Sequence, residues 1–215
     1  MIQIDLFSDV VCPWCFIGKR RLEQAIAARP EQHVAIRWRT FQLNPDMPRD
    51  GMLRQHYVEA KFGGPERADQ IYSSIRDAGE AVGLPFAFEK IERAPNTVAA
   101  HRLIYWSTTQ EKADPVVENL FRAYFFEGRD IGSIDVLSKI ATESGLDGDT
   151  AKEFLRSEHG RAEVAAESRY AYENGITGVP CFIFNRRYAI AGAQEPEAFF
   201  PLFDLEPEDI TDAAD

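Results

Sequence analysis

Asp9-Val10-Val11-Cys12-Pro13-Trp14-Cys15-Phe16-Ile17-Gly18-Lys19-Arg20 joins a short apolar run, Ile2 to Phe7, to a helical pattern that continues to Ala28. Proline suits the first position of a helix, where its missing N–H costs nothing, so Cys12 falls at the N-cap and Cys15 inside the first turn. The unsatisfied N–H groups of that turn and the positive end of the helix dipole favour a thiolate at the N-cap, and cysteines in such motifs have pKa values of roughly 3.5–7.5. Cys12 is therefore expected to be the nucleophile. Cys15, deeper in the turn, is expected to attack a mixed disulfide on Cys12 and release the reduced substrate.

Zinc sites use the same spacing but need four ligands, usually with a second close pair of Cys or His. Cys181 is the one remaining cysteine, and His33, His56, His101 and His159 are widely separated. Redox chemistry is the better reading, and no metal is expected.

Around the motif the pattern is that of an α/β core. Ile2–Phe7 and Val34–Phe41 alternate as strands, the second presenting Val34, Ile36 and Trp38 to one side, and Pro13–Ala28 reads as a helix with Ile17, Leu22 and Ile26 inward. A right-handed βαβ crossover makes the strands parallel and puts the cysteines at the carboxyl end of the first, where open α/β sheets bind ligands. Helical patterns follow over residues 52–62, 65–82, 96–109, 114–127, 133–144, 149–157 and 160–174. Asp114, Ser133 and Asp149 sit at apparent caps, and the stripe containing Tyr124 and Phe125 is expected to pack in the core rather than line a cleft. Strand pattern returns at Cys181–Phe184 and Tyr188–Ala191, joined by Asn185-Arg186-Arg187 as a hairpin, and a short helix closes near Glu195–Phe203.

The chain has 215 residues, 45% of them hydrophobic, enough for a large core or a core carrying an insertion. A formal net charge of −11 argues against a broad nucleic-acid surface. Asp204, Glu206, Glu208, Asp209, Asp212 and Asp215 end the chain without an intervening base and read as a solvated tail. Lys19, Arg20 and Arg21 are expected to complement the later part of their helix and meet water. No stretch has the ~18–20 apolar residues of a membrane span, and the N-terminal pattern is a strand rather than an export signal, so a cytoplasmic location without a membrane partner is expected.

Thr177-Gly178-Val179-Pro180 precedes the third strand. With the paired cysteines after the first strand and this Val-Pro before the third, the chain resembles the thioredoxin superfamily, in which that proline is cis and packs beside the disulfide. The helical insertion narrows the resemblance to the DsbA-like branch. The opening run, Phe41-Gln42-Leu43-Asn44-Pro45, Asn96-Thr97 with His101-Arg102, and Gly178-Val179-Pro180 are similar to its cytoplasmic FrnE-like members from residue 5 to about 203.

The resemblance implies a thioredoxin-like fold with a long all-helical domain between an N-terminal βαβ unit and a C-terminal ββα unit: residues 1–45 and 158–204 as the core, 46–157 as the insertion, and 205–215 as the acidic tail. It implies thiol-disulfide oxidoreductase activity with a redox-active Cys12–Cys15 disulfide and no other cofactor. Pro13, Trp14, Val179 and Pro180 would contact substrate, with the Val179 backbone pairing to an extended peptide. Partners would be protein or small-molecule thiols and disulfides, glutathione among them as a candidate co-substrate. Cys181 departs from the family pattern; it reads as a small buried hydrophobe, with an auxiliary thiol near Cys12 or Cys15 as the sharper alternative. His101 reads as partly buried under the helices, since its spacing does not place it near Cys12. Asp9 should tie down the loop, its charge tending to raise a neighbouring thiol's pKa.

Two other functions stay open at this point. Kappa-class glutathione transferases and 2-hydroxychromene-2-carboxylate isomerases share the fold, typically with Ser at the first motif position. A redox-sensitive holdase would bind its clients on the helical cap.

Overall fold

The computed structural model describes residues 1–205. Residues 206–215, which carry most of the expected acidic tail, lie outside the described residues.

Strand β1 (Ile2–Ser8) leads into helix α1 (Pro13–Ala27), and β2 (Val34–Thr40) returns parallel to β1 with Ile2 opposite Val34 and Ser8 opposite Thr40. The chain then passes through β3 (Met52–Leu53), α2 (Arg54–Phe62), α3 (Pro65–Glu80), β4 (Arg93–Ala94), α4 (Val98–Thr108), α5 (Ala113–Phe125), α6 (Ile134–Glu143), α7 (Gly148–Arg156) and α8 (Arg161–Glu173). The hairpin β5 (Cys181–Phe184) and β6 (Tyr188–Ala191) completes a sheet of order β2-β1-β5-β6, with both hairpin pairings antiparallel. A 3-10 turn at Pro196–Phe199 and the short α9 (Phe200–Phe203) follow.

The period of two in β1 sorts its side chains between two layers. Ile2, Ile4 and Leu6 pack with Leu22 and Ala25 of α1 and with Phe182, Phe184, Phe199 and Phe203. Phe7 faces the opposite side with Phe41, Ala171 and Ile176, beneath α8. The largest cluster begins at the motif itself, with Val10, Cys12, Cys15, Phe16 and Ile17, and runs into the inserted helices. Phe16 is central to that junction: its ring stacks on Phe121 at 4.7 Å and meets Phe126 at 5.6 Å and Phe86 at 6.2 Å.

Because the insertion covers α1, Lys19 on that helix is buried, Arg20 and Arg21 are half-buried, and all three are paired. Lys19, only 3% exposed, lies 3.5 Å from Asp114 and 3.2 Å from Glu118 and also contacts Glu23. Arg20 bonds Glu23 at 2.7 Å and also Glu118. Arg21 pairs with Glu195 at 2.6 Å. These cations therefore tie α1 to α5 and to the segment before α9 instead of meeting water. Asp114 is correspondingly no cap: α5 starts one residue earlier, with Lys112 at the N-cap position. At α7 the cap is Asp147, whose carboxylate accepts the Thr150 N–H at 2.6 Å, rather than Asp149. The helix expected from residue 52 begins at Arg54, because Met52 and Leu53 pair with Ala94 and Arg93 in a sheet too short for alternation to reveal.

Candidate functional site

The loop Asp9–Val11 carries the chain from the end of β1 into α1, and Cys12 sits at the N-cap in extended conformation, φ −95° and ψ 111°, with Pro13 opening the helix. The Cys15 N–H donates to the Cys12 carbonyl at 3.0 Å, closing the first turn around the two thiols. Both cysteines are free and nearly sealed, Cys12 5% and Cys15 1% exposed. The Cys12 thiol donates to the Val179 carbonyl at 3.7 Å, within the longer limit for sulfur, and the Val179–Pro180 peptide is cis.

Burial pushes the Cys15 pKa well above its usual value. A hydrogen bond with Cys12 and the charge of Cys12 add to the rise, while the Ser8 hydroxyl and the Asp9 backbone amide oppose it. Cys15 is thus held as a protonated thiol at neutral pH. Cys181 is also raised by burial. It lies opposite Phe7 in the sheet and packs with Phe41, Ala171 and Ile176, not in the cluster that holds Cys12 and Cys15.

Asp9 is fully buried; one carboxylate oxygen accepts the Leu43 N–H at 2.8 Å and the other lies 3.3 Å from His101 Nε2. It ties down the loop as expected. His101 is the residue whose position spacing did not reveal, since its partner lies 92 residues away. A signal was present nonetheless: a histidine among the apolar residues of α4 and an aspartate between two apolar runs each need a buried partner. The adjacent Arg102 has a structural task, donating to the carbonyls of Phe154, Leu155, Ser157 and His159 at 2.8–2.9 Å and satisfying the exposed end of α7.

Cys12 opens onto a cleft of about 310 Å³. Its core side is formed by Val11, Cys12, Pro13, Trp14, Gly178 and Val179, its other side by inserted residues including Arg54, Tyr57, Tyr72, Phe88, Tyr124 and Phe125. Trp14 is 38% exposed at the rim. Tyr124 and Phe125, expected only in the core, serve both purposes: each is 2% exposed and each lines the cleft. Pro180 does not line it. Its ring packs under α1 against Gly18, where an added Cβ would lie 2.8 Å from Pro180 Cγ. Among the described residues no group of His, Cys, Asp and Glu is placed to hold a metal ion, and no helix is long and apolar enough to cross a membrane.

Comparison with known proteins agrees with this architecture. The sequence matches the DSBA-like thioredoxin domain over residues 3–201. The YwbO protein of Bacillus subtilis (strain 168) is 30% identical over 199 residues, 92% of this chain and 94% of YwbO. The probable DsbA oxidoreductase SCO1869 of Streptomyces coelicolor superposes with a TM-score of 0.87 at 28% identity, covering 99% of this chain and 95% of its own. Two more distant structures share the fold. A 2-hydroxychromene-2-carboxylate isomerase has a TM-score of 0.68 at 17% identity, covering 93% of this chain and 92% of its own. The cytosolic disulfide reductase DsbM of Pseudomonas aeruginosa, solved with GSH, has a TM-score of 0.61 at 20% identity, covering 87% of this chain and 89% of its own. With the match spanning nearly the whole chain and the paired cysteines at the end of its first strand, this protein belongs to the DSBA-like thioredoxin domain family.

Proposed function

We propose that the protein is a thiol-disulfide oxidoreductase in which Cys12 attacks and Cys15 resolves. The observation that carries the reading is the layering of the two thiols: Cys12 lines the cleft, while Cys15 lies beneath it, 1% exposed and hydrogen-bonded to it. Acting as a reductant, the Cys12 thiolate displaces a thiolate from a substrate disulfide and forms a mixed disulfide. Cys15 then loses its proton and attacks Cys12 Sγ, releasing the second substrate thiolate and leaving a Cys12–Cys15 disulfide. The Asp9 amide stabilises the Cys15 thiolate when it forms. The same steps in reverse oxidise a dithiol, and the redox poise of the compartment sets the direction.

Val179 presents its carbonyl beside Cys12 and Trp14 borders the cleft, so both are assigned to substrate contact, with Pro13 at the helix start. Pro180 acts from behind by holding Val179 against α1. Low-molecular thiols and disulfides, glutathione among them, are the proposed partners in a cytoplasmic, FrnE-like setting; DsbM, of the same fold, was solved with GSH. Cys181 is assigned a packing role.

The isomerase or transferase reading retains one supporting observation, the aromatic cleft beside Cys12, together with the shared fold. Coupled reduction of a protein disulfide by a thiol separates the possibilities. Cys12→Ser is expected to abolish turnover and Cys15→Ser to stall it at mixed disulfides. Undiminished turnover in Cys12→Ser would overturn the oxidoreductase assignment in favour of glutathione chemistry, and client holding that survives loss of both thiols would favour a holdase.

A further inference from the structure

We propose that the cleft above Cys12 selects small disulfides that carry a carboxylate on an apolar, aromatic-sized body, with Arg54 as the anchor for the carboxylate. This selectivity rests on the oxidoreductase assignment and specifies its substrate class.

The first observation is a local reversal of charge. The chain has a formal net charge of −11, yet the residues lining the cleft include Arg54 and Lys61 and neither Asp nor Glu. Low-dielectric walls of one sign concentrate ligands of the opposite sign.

The second is the state of Arg54 itself. Its half-buried side chain has no carboxylate partner among the described residues, whereas Lys19, Arg20 and Arg21 are all ion-paired. Its guanidinium lies 5.5 Å from the Tyr57 ring and 5.0 Å from the Tyr72 ring, and one nitrogen donates to the Tyr72 hydroxyl. The rings fix its position and leave other donors of the planar fork available for a carboxylate.

The third is Tyr124, 2% exposed, which lines the same cleft and has no hydrogen-bond partner among the described residues for its hydroxyl. Burial pushes its pKa far up, so it remains a neutral phenol able to donate. A neutral phenol on the cleft wall can donate a hydrogen bond to an acceptor on a bound ligand. A volume of about 310 Å³ admits one small molecule, and the aromatic walls suit a flat, apolar body.

The reaction is the exchange already described. The reduced protein supplies two electrons, the substrate disulfide becomes two thiols, and Cys12 and Cys15 become a disulfide, so a single turnover needs no further reductant.

The test is single-turnover reduction by the pre-reduced full-length protein of dithiobis(nitrobenzoate), an aromatic dianion, and of dithiodipyridine, a neutral aromatic. Each rate is divided by that of free dithiothreitol with the same disulfide. The expected result is a normalised preference for the dianion, against the overall charge of the protein, that weakens with added salt. Arg54→Gln should reduce that preference about tenfold, the size of one charge-assisted hydrogen bond. Arg54→Lys should retain part of it. Tyr124→Phe, which keeps the packing and removes only the hydroxyl, should lower it about threefold. Equal normalised rates for the two disulfides, or a ratio unchanged in both Arg54→Gln and Tyr124→Phe, would overturn the selectivity while leaving the oxidoreductase assignment standing. Failure of the folded wild-type protein to reduce either disulfide would overturn that assignment and the selectivity with it.

Discussion

Asp9 and His101 meet 3.3 Å apart, both shielded from solvent, and their contact joins the loop that ends in Cys12 to α4 of the inserted helices. The second Asp9 oxygen holds the Leu43 amide at 2.8 Å, so one carboxylate connects three separate stretches of chain beneath the redox motif.

Replacing this carboxylate should therefore cost more than replacing its partner. Asp9→Ala leaves the part-buried Leu43 N–H and the buried His101 ring without this partner, at up to about 1–3 kcal/mol for each orphaned group. His101→Gln retains a polar atom and should lose less. Urea unfolding of the reduced proteins gives the comparison, and equal midpoints for wild type and Asp9→Ala would contradict it.

Gly18 meets Pro180 so closely that a methyl group cannot be added without displacement; the nearest approach would be 2.8 Å to Pro180 Cγ and 3.1 Å to Phe182 Cζ. Gly18→Ala is expected to cost about 1–3 kcal/mol by overpacking. Because Pro180 supports Val179 at the cleft, disulfide reduction should slow as well. Unchanged stability with unchanged rate would show that the proline ring yields freely.

Glu118 makes the junction between α1 and α5 sensitive to acid. Burial opposes its charge, but the hydrogen bond from Arg20 and the charges of Lys19 and Arg20 prevail and hold its carboxyl below the usual 4.5. A carboxylate depressed in this way stabilises the fold above its unfolded pKa and loses that contribution as pH falls through the folded value. Wild type should be more stable than Glu118→Gln at neutral pH, and the gap should close between about pH 5 and about pH 3. Parallel stability curves across that interval would exclude this role.

Cys15 predicts the opposite limb. Its pKa is raised above 9.0, chiefly by burial, so the folded protein holds the thiol proton more tightly than the unfolded chain. That contribution is complete below the unfolded value and is lost as pH climbs toward the folded one. The reduced wild type should lose stability above about pH 9 more steeply than Cys15→Ala, with Cys181 common to both. Identical alkaline limbs in thermal melts of the two reduced proteins would contradict it.

The parts of this structure legible in sequence are those set by local pattern. Alternation and Asn185, which adopts φ 48°, gave both strands of the hairpin their observed bounds, and Pro13 marked the start of α1. What the chain concealed depends on contacts between distant segments. Nothing near Lys19 announced that Phe121 would stack on Phe16 and cover that helix face, turning expected surface cations into a partly buried ion-pair cluster. The cleft was hidden for the same reason: Arg54 belongs to a helix with little periodic signal, and Tyr124 to a stripe that packs inward while still reaching the cavity. The paired cysteines were legible because their chemistry resides in four adjacent residues, whereas the Asp9–His101 contact needed the fold.

The most direct test of the proposed mechanism is intact-mass and peptide mapping of reduced Cys15→Ser after exposure to glutathione disulfide. The account predicts a stable adduct of one glutathione on Cys12, absent at that site in Cys12→Ser and transient in wild type, where Cys15 resolves it. A Cys15→Ser protein modified at Cys181 with Cys12 free, or a wild type whose Cys12 adduct persists as long as that of Cys15→Ser, would contradict the assignment of nucleophile and resolving thiol.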